Sequence, residues 1–206
     1  MRISTPPINF ILASQSPRRS KILGDAGFNF EVLTVKVSEI FDKNLNVDEQ
    51  IMKVAETKGQ AVARSIKYIK NQEYLVLSAD TVVILEGRIL GKPKDRAEAE
   101  KFLRLLSGRT HCVKTGICFL EPLKFQIFKD LGSTMVEFRD LSSIETEKYL
   151  ESGEWEDKAG AYGIQGNARA FVKKIEGSLT NVVGLPIELV QDVMKKHGWF
   201  KRCRKN

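Results

Sequence analysis

Short runs of β-branched and aromatic residues alternate along the chain with stretches whose apolar residues recur every three or four positions, which predicts a three-layer α/β domain. Phe10-Ile11-Leu12-Ala13 reads as a buried strand. The polar turn Ser14-Gln15-Ser16-Pro17 follows, then a helix with Ile22, Leu23 and Ala26 on one face, Pro17 in its first turn and Gly27 at its stop. A second strand is expected from about Phe30 to Val37. The next helix, about Asp48 to Lys67, carries Ile51, Ala55, Val62 and Ile66 near one stripe.

Tyr74 to Leu85 is a strong strand pattern, and Glu86-Gly87 is a hairpin turn before Arg88-Ile89-Leu90. Asp95 caps a helix carrying Ala99, Phe102, Leu103 and Leu106, and Gly108 ends it. His111 to Phe138 predicts a meander of three strands. Ser142 and Glu145 have capping-box spacing and open a short helix to about Ser152. A glycine-rich loop, a strand near Ala170 to Ile175 and a helix between Pro186 and Gly198 complete the pattern. The architecture expected is a twisted mixed sheet in one domain, residues 1–206, with two lobes around a cleft.

Composition narrows the class. A hydrophobic content of 42% and a charged content of 29% suit a globular protein, and 206 residues suffice for one substantial core or two small lobes. No apolar run approaches the ~18–20 residues that span a bilayer, and the start, Met1 to Asn9, has no apolar core of signal-peptide length. The expectation is therefore a cytoplasmic protein with no membrane partner. Three cysteines without a C-x-x-C pair argue against a disulfide framework or structural zinc, and Cys112 and Cys118 read as small core fillers. A net charge of +7 suits an anionic ligand: nucleotide, nucleic acid or membrane surface. Part of that charge lies in the basic tail 201–206, expected to be a loose end. No aromatic stacking platform accompanies the charge, which counts against nucleic acid.

Four places break the local rules. In the first, Arg18 and Arg19 stand at the positive end of a helix, where free amides and the dipole attract anions; a phosphate would offset them, and so would plain exposure. In the second, Lys58 falls on the apolar stripe of its helix, at i+7 from Ile51, so it either snorkels outward or points into a cleft. In the third, Asp80 interrupts the apolar run from Leu75 to Ile84. A carboxylate there must be paired, metal-bound or shifted in pKa; it either orients a cation or accepts a proton from water, or it is a structural acid that caps the adjacent turn. In the fourth, Lys158 to Gly166 has a glycine at every third position, suited to a ligand-binding or tight structural loop, and it is neither a dinucleotide-binding nor a Walker motif.

Read in order, these segments resemble the Maf family. The matching pieces are Ala13 to Arg19, Glu56-Thr57-Lys58, Ala79-Asp80-Thr81, Gly91-Lys92-Pro93, Leu106 to His111, Asp157 to Gly166 and Asn181 to Pro186. The resemblance implies a fold like that of inosine triphosphate pyrophosphatases, often in a homodimer. It implies hydrolysis of nucleoside triphosphates to the monophosphate and pyrophosphate with Mg²⁺ or Mn²⁺. By position, Ser14, Arg18, Arg19, Lys58 and Lys92 match the family's triphosphate-binding groups. Asp80 matches its proton acceptor, and Glu39 a second acid near the metal. Arg18, Thr81 and Gln165 together resemble the subgroup that prefers dTTP and UTP over the one acting on 7-methyl-GTP. A pyrophosphatase for 7-methyl-GTP or other modified nucleotides, and a non-enzymatic regulator of septum formation or cell division, are the alternatives. Asn167-Ala168-Arg169 departs from the small residues usual after Gly166, and Lys124 to Lys129 matches no motif.

Overall fold

A strand with no polar side needs both of its faces covered, and β1 (Ile8–Leu12) meets that condition. Ile8, Phe10 and Leu12 enter one core with Leu75, Leu77, Ile117 and Phe119, while Ile11 and Ala13 enter another with Val76, Cys118 and Leu120. The structure, a computed structural model, describes residues 8–38 and 44–204. Its strands are β1, β2 (Glu31–Val32), β3 (Glu73–Leu85), β4 (Arg88–Leu90), β5 (Thr110–Glu121), β6 (Gln126–Phe138) and β7 (Val172–Glu176), hydrogen-bonded in the order β2-β1-β3-β5-β6-β7 with β4 on β3. The β1 pairings to β2 and β3 are parallel, whereas β3–β4 and β6–β7 are antiparallel, so the sheet is mixed as expected.

The chain folds as two compact units: Met1–Asp80, Gly116–Gly132 and Gly184–Asn206 form the first, and Thr81–Thr115 and Ser133–Val183 the second. In the first, α1 (Pro17–Asp25) and α6 (Ile187–Lys196) cover one sheet face through Leu23, Val190 and Met194. The helix α2 (Val47–Ser65) covers the other through Ala55 and Val62. These are the three layers that the alternation predicts. An Asn46–Glu49 capping box starts α2, one residue before the position expected from the hydrophobic stripe.

In the second unit, α3 (Arg96–Leu106), begun by Asp95, packs on α4 (Ser143–Glu151), begun by the Ser142–Glu145 capping box. The Glu86-Gly87 turn has φ of 49° and 77°, the left-handed pair that suits a two-residue hairpin. A short helix, α5 (Leu179–Val183), was not anticipated.

Four expectations change. The strand expected over Phe30 to Val37 shrinks to β2. Its partner β1 ends at Leu12; beyond Val32 the Leu33 N–H still reaches the Leu12 carbonyl, at 3.2 Å, and Leu33 and Val35 are exposed. The meander of three strands is two long ones. Burial from Thr115 to Glu121 carries β5 through Gly116, and the chain reverses at Pro122–Lys124, with Phe125 at φ 55°. Cys118 is a buried core filler, but Cys112 lies where one strand face is open, and its thiol meets the Ser133 hydroxyl at 3.2 Å. The tail is held as far as Arg204. Arg202 pairs with both Glu73 oxygens at 2.6 and 3.3 Å, Cys203 is buried, and Arg204 bridges to Phe28.

Candidate active site

The strand order creates a preferred place for a ligand. β1 lies between two parallel neighbours; the chain leaves its carboxyl end for β2 on one side, and the next parallel strand, β3, joins on the other. At such a switch point the connections diverge and open a crevice beyond the strand ends. The Ser14–Arg19 turn stands there. The Ala13 N–H bonds the Leu77 carbonyl at 2.7 Å, so the turn opens at the level where β3 reaches Ala79 and Asp80.

Within the turn, Ser16 is the N-cap of α1 but makes no side-chain capping bond, and no acid occupies the first helical turn. The positive end of α1 is thus unneutralised by its own sequence, with Arg18 and Arg19 added to it. Ser14 is only 7% exposed. Its Oγ accepts from the Ser16 N–H at 3.2 Å and from Arg19 Nη1 at 3.1 Å, while Arg19 Nε donates to the Gly184 carbonyl at 2.7 Å.

Lys58 and Asp80 meet. Lys58 Nζ donates to Asp80 Oδ1 at 2.6 Å, and the two side chains are 17% and 7% exposed. Of the two placements open for Lys58, the structure takes the inward one. Strand alternation explains the encounter, because Ser78 and Asp80 share the sheet face that α2 covers. The buried Ser78 hydroxyl donates to the Ala55 carbonyl at 2.6 Å, holding the helix down one turn before Lys58. Gly59 allows that approach, since a Cβ there would lie 2.7 Å from Ser78 Oγ and 2.4 Å from the Leu120 side chain. Also on α2, Glu56 is buried and accepts from Lys129 at 2.8 Å and Gln60 at 2.8 Å.

Thr81, Lys92 and Gln165 belong to the second unit. Thr81 shares a 2.9 Å hydroxyl contact with buried Thr115, which donates to the Asn181 carbonyl at 3.1 Å. Lys92 is exposed and lies 4.0 Å from Asp157. Gln165 is exposed on the glycine-rich loop. That loop is anchored at Gly160, whose N–H bonds the Gly91 carbonyl at 3.0 Å. Gly160 has φ 66° and a Cβ there would sit 2.8 Å from Val83, so both conformation and space demand glycine. Glu39 lies outside the described residues. Among the described residues, no three His, Cys, Asp or Glu side chains cluster as a metal site.

The family model described as "Maf-like protein" matches residues 9–197. The chain belongs to the Maf family. Among curated relatives, a dTTP/UTP pyrophosphatase of Bdellovibrio bacteriovorus is 46% identical over 186 residues, covering 90% of this chain and 97% of that protein. A dTTP/UTP pyrophosphatase of Fusobacterium nucleatum is 44% identical, covering 92% and 95%. Of solved structures, the Staphylococcus aureus Ham1 protein aligns at 15% identity over 92% of this chain and 99% of its own, with a TM-score of 0.46.

The family match spans all seven motifs, but the contacts made by Thr115, Glu56 and the Gly184 carbonyl are not legible in them. Thr115 and the Gly184 carbonyl carry no local signal, because a threonine in a strand and a backbone oxygen look ordinary. Glu56 could have been suspected, since in α2 it follows Ala55 on the buried side yet carries a charge.

Proposed function

We infer that this chain hydrolyses the pyrimidine nucleoside triphosphates dTTP and UTP to the monophosphate and pyrophosphate. The observation that carries this is the buried Lys58–Asp80 pair at the switch point, in a chain whose relatives are named for that reaction. In this reading the oxygen of a water bonds to the α-phosphorus, the bond from that phosphorus to the bridging oxygen breaks, and the water's proton passes to Asp80. Pyrophosphate is the leaving group. Ser14, Arg18, Lys58 and Lys92 hold phosphate oxygens, spreading positive charge where negative charge accumulates. Thr81 and Gln165 recognise the base; an amide that both donates and accepts suits the alternating O and N–H edge of uracil or thymine.

Mg²⁺ or Mn²⁺ fits the donor set. Such hard cations take one or two carboxylates together with substrate phosphates rather than a closed protein cage. Asp80 supplies a carboxylate with a second oxygen beyond the one that Lys58 engages, and Glu39 is the second acid proposed. Held by these acids, such a cation would supply Lewis-acid charge stabilisation to the phosphoryl oxygens. Homodimer assembly and a cytoplasmic location belong to the same reading; among the described residues, no helix is long and apolar enough to cross a membrane.

The test is incubation with Mg²⁺ or Mn²⁺ and a panel of triphosphates, with identification of the products. UMP or dTMP with pyrophosphate is the expected result. Release of orthophosphate, or no turnover of any nucleotide, overturns it.

A further inference from the structure

Arg19 stands beside Arg18 at the positive end of α1, yet its guanidinium is turned to the protein itself. Nε meets the Gly184 carbonyl at 2.7 Å and Nη1 meets Ser14 Oγ at 3.1 Å. The consequence falls on Ser14. A serine hydroxyl offers one proton and two acceptor positions. Both acceptor positions are used, by the Ser16 N–H at 3.2 Å and by Arg19 Nη1. What Ser14 retains for a third partner is its O–H, which can only donate. A ligand that meets this buried hydroxyl must therefore present an acceptor, as a phosphate oxygen does. The same guanidinium ties the turn after β1 to the chain entering α6, 165 residues away. A planar fork spans two acceptors in fixed directions, which a single ammonium does not.

We propose that Arg19 is a positioning residue that makes Ser14 an obligate hydrogen-bond donor to a phosphate oxygen and pins the Ser14 turn to Gly184. This rests on the reading of that turn as a triphosphate site. Arg19 thus acts through Ser14 and the Gly184 backbone rather than on the anion itself.

The experiment is a double-mutant cycle on binding of α,β-methylene-UTP with Mg²⁺, measured by calorimetry on the full chain. Arg19→Met and Ser14→Ala are each expected to weaken binding by about tenfold, with the double variant within about twofold of the weaker single one, as for residues acting as one unit. Arg19→Lys should bind as poorly as Arg19→Met. Multiplying effects in the double variant, or full binding by Arg19→Lys, would make Arg19 an independent cation and overturn the proposal. If the wild-type chain does not bind the analogue, the triphosphate reading has failed, and the positioning role is then read from a crystal structure of Arg19→Met. There the Ser14 hydroxyl and the Gly184 carbonyl should leave their present places. If both stay, the proposal falls whatever the binding shows.

Discussion

The two units bury polar groups by opposite means. Among the described residues, the first unit buries Ser14, Glu56, Ser78, Asp80 and Glu121; the second buries His111, Thr115, Thr134, Thr146 and Asn181. The three acids are all in the first unit, and each has a lysine: Asp80 with Lys58 at 2.6 Å, Glu56 with Lys129 at 2.8 Å, Glu121 with Lys124 at 2.6 Å. The second unit uses neutral groups. Its aromatic cluster of His111, Phe138, Tyr162 and Phe171 contains one hydrogen bond, His111 Nε2 to the Tyr162 hydroxyl at 2.8 Å, and burial pushes the His111 pKa down to about 4. Keeping a buried ion pair is often no more stabilising than an apolar replacement. Retention of the Lys58–Asp80 pair is therefore better explained by chemistry than by stability.

The largest effect should come from removing the charge that matters for reaction. Asp80→Asn keeps the shape and leaves Lys58 a neutral partner, so the fold should persist while the proton acceptor is lost. Turnover is expected to fall by about 10³-fold, in the range for a general base. Steady-state kinetics on UTP, with circular dichroism as the control for folding, checks this; undiminished turnover would falsify the mechanism.

Next in size is the converse change, a charge placed in the neutral unit. The Asn181 side chain is fully buried, and its Nδ2 donates to the Val113 carbonyl at 2.9 Å and to Thr134 Oγ1 at 3.0 Å, while Oδ1 has no partner among the described residues. Asn181→Asp turns a carboxylate oxygen toward the Val113 carbonyl, with an oxygen rather than a cation as its neighbour. A loss of about 3 kcal/mol or more is expected at pH 7, read from urea unfolding. A loss under about 1 kcal/mol would show that the second unit tolerates charge as well as the first.

Acid sharpens the same contrast without mutation. His111 is neutral in the fold, with a pKa of about 4, and titrates near 6.5 when unfolded. As the pH falls, the unfolded chain takes up the proton first. Stability from this group is therefore full above about pH 6.5 and is lost between there and pH 4, amounting to about 2 kcal/mol between pH 7 and 5. Carboxylates titrate in part of this window, so the wild-type slope is compared with that of His111→Gln. Equal slopes would remove His111 as the cause.

These groups differ in how far they could be read from the sequence. Asp80 was legible because an acid inside an apolar strand contradicts its surroundings. Lys58 was legible as a misplacement on its stripe, but its target was not, since the contact depends on how closely α2 seats on β3. The helix caps and the Glu86-Gly87 hairpin are local chemistry and were readable directly. The end of β2 was not, because it is set by where β1 stops. Arg19 shows the limit most clearly: its charge suggested an anion, whereas its Nε is directed to a backbone carbonyl from the far end of the chain. Pairings of that range leave no periodic trace.

The smallest effect is expected at the surface, where neither unit's rule applies. Lys92 and Asp157 are 4.0 Å apart, with side chains 59% and 90% exposed. Solvent screens such a pair, so its loss should be nearly silent. Asp157 also holds φ 56°, a left-handed conformation that asparagine tolerates as well as aspartate does. Asp157→Asn should therefore leave the melting temperature within about 2 °C of wild type. It also frees the Lys92 ammonium from the acid 4.0 Å away, so the KM for UTP should be unchanged or slightly lower. A raised KM would mean that Asp157 orients Lys92 for the phosphates. The pairing of acid with lysine that marks the buried groups of the first unit would then extend to this exposed rim.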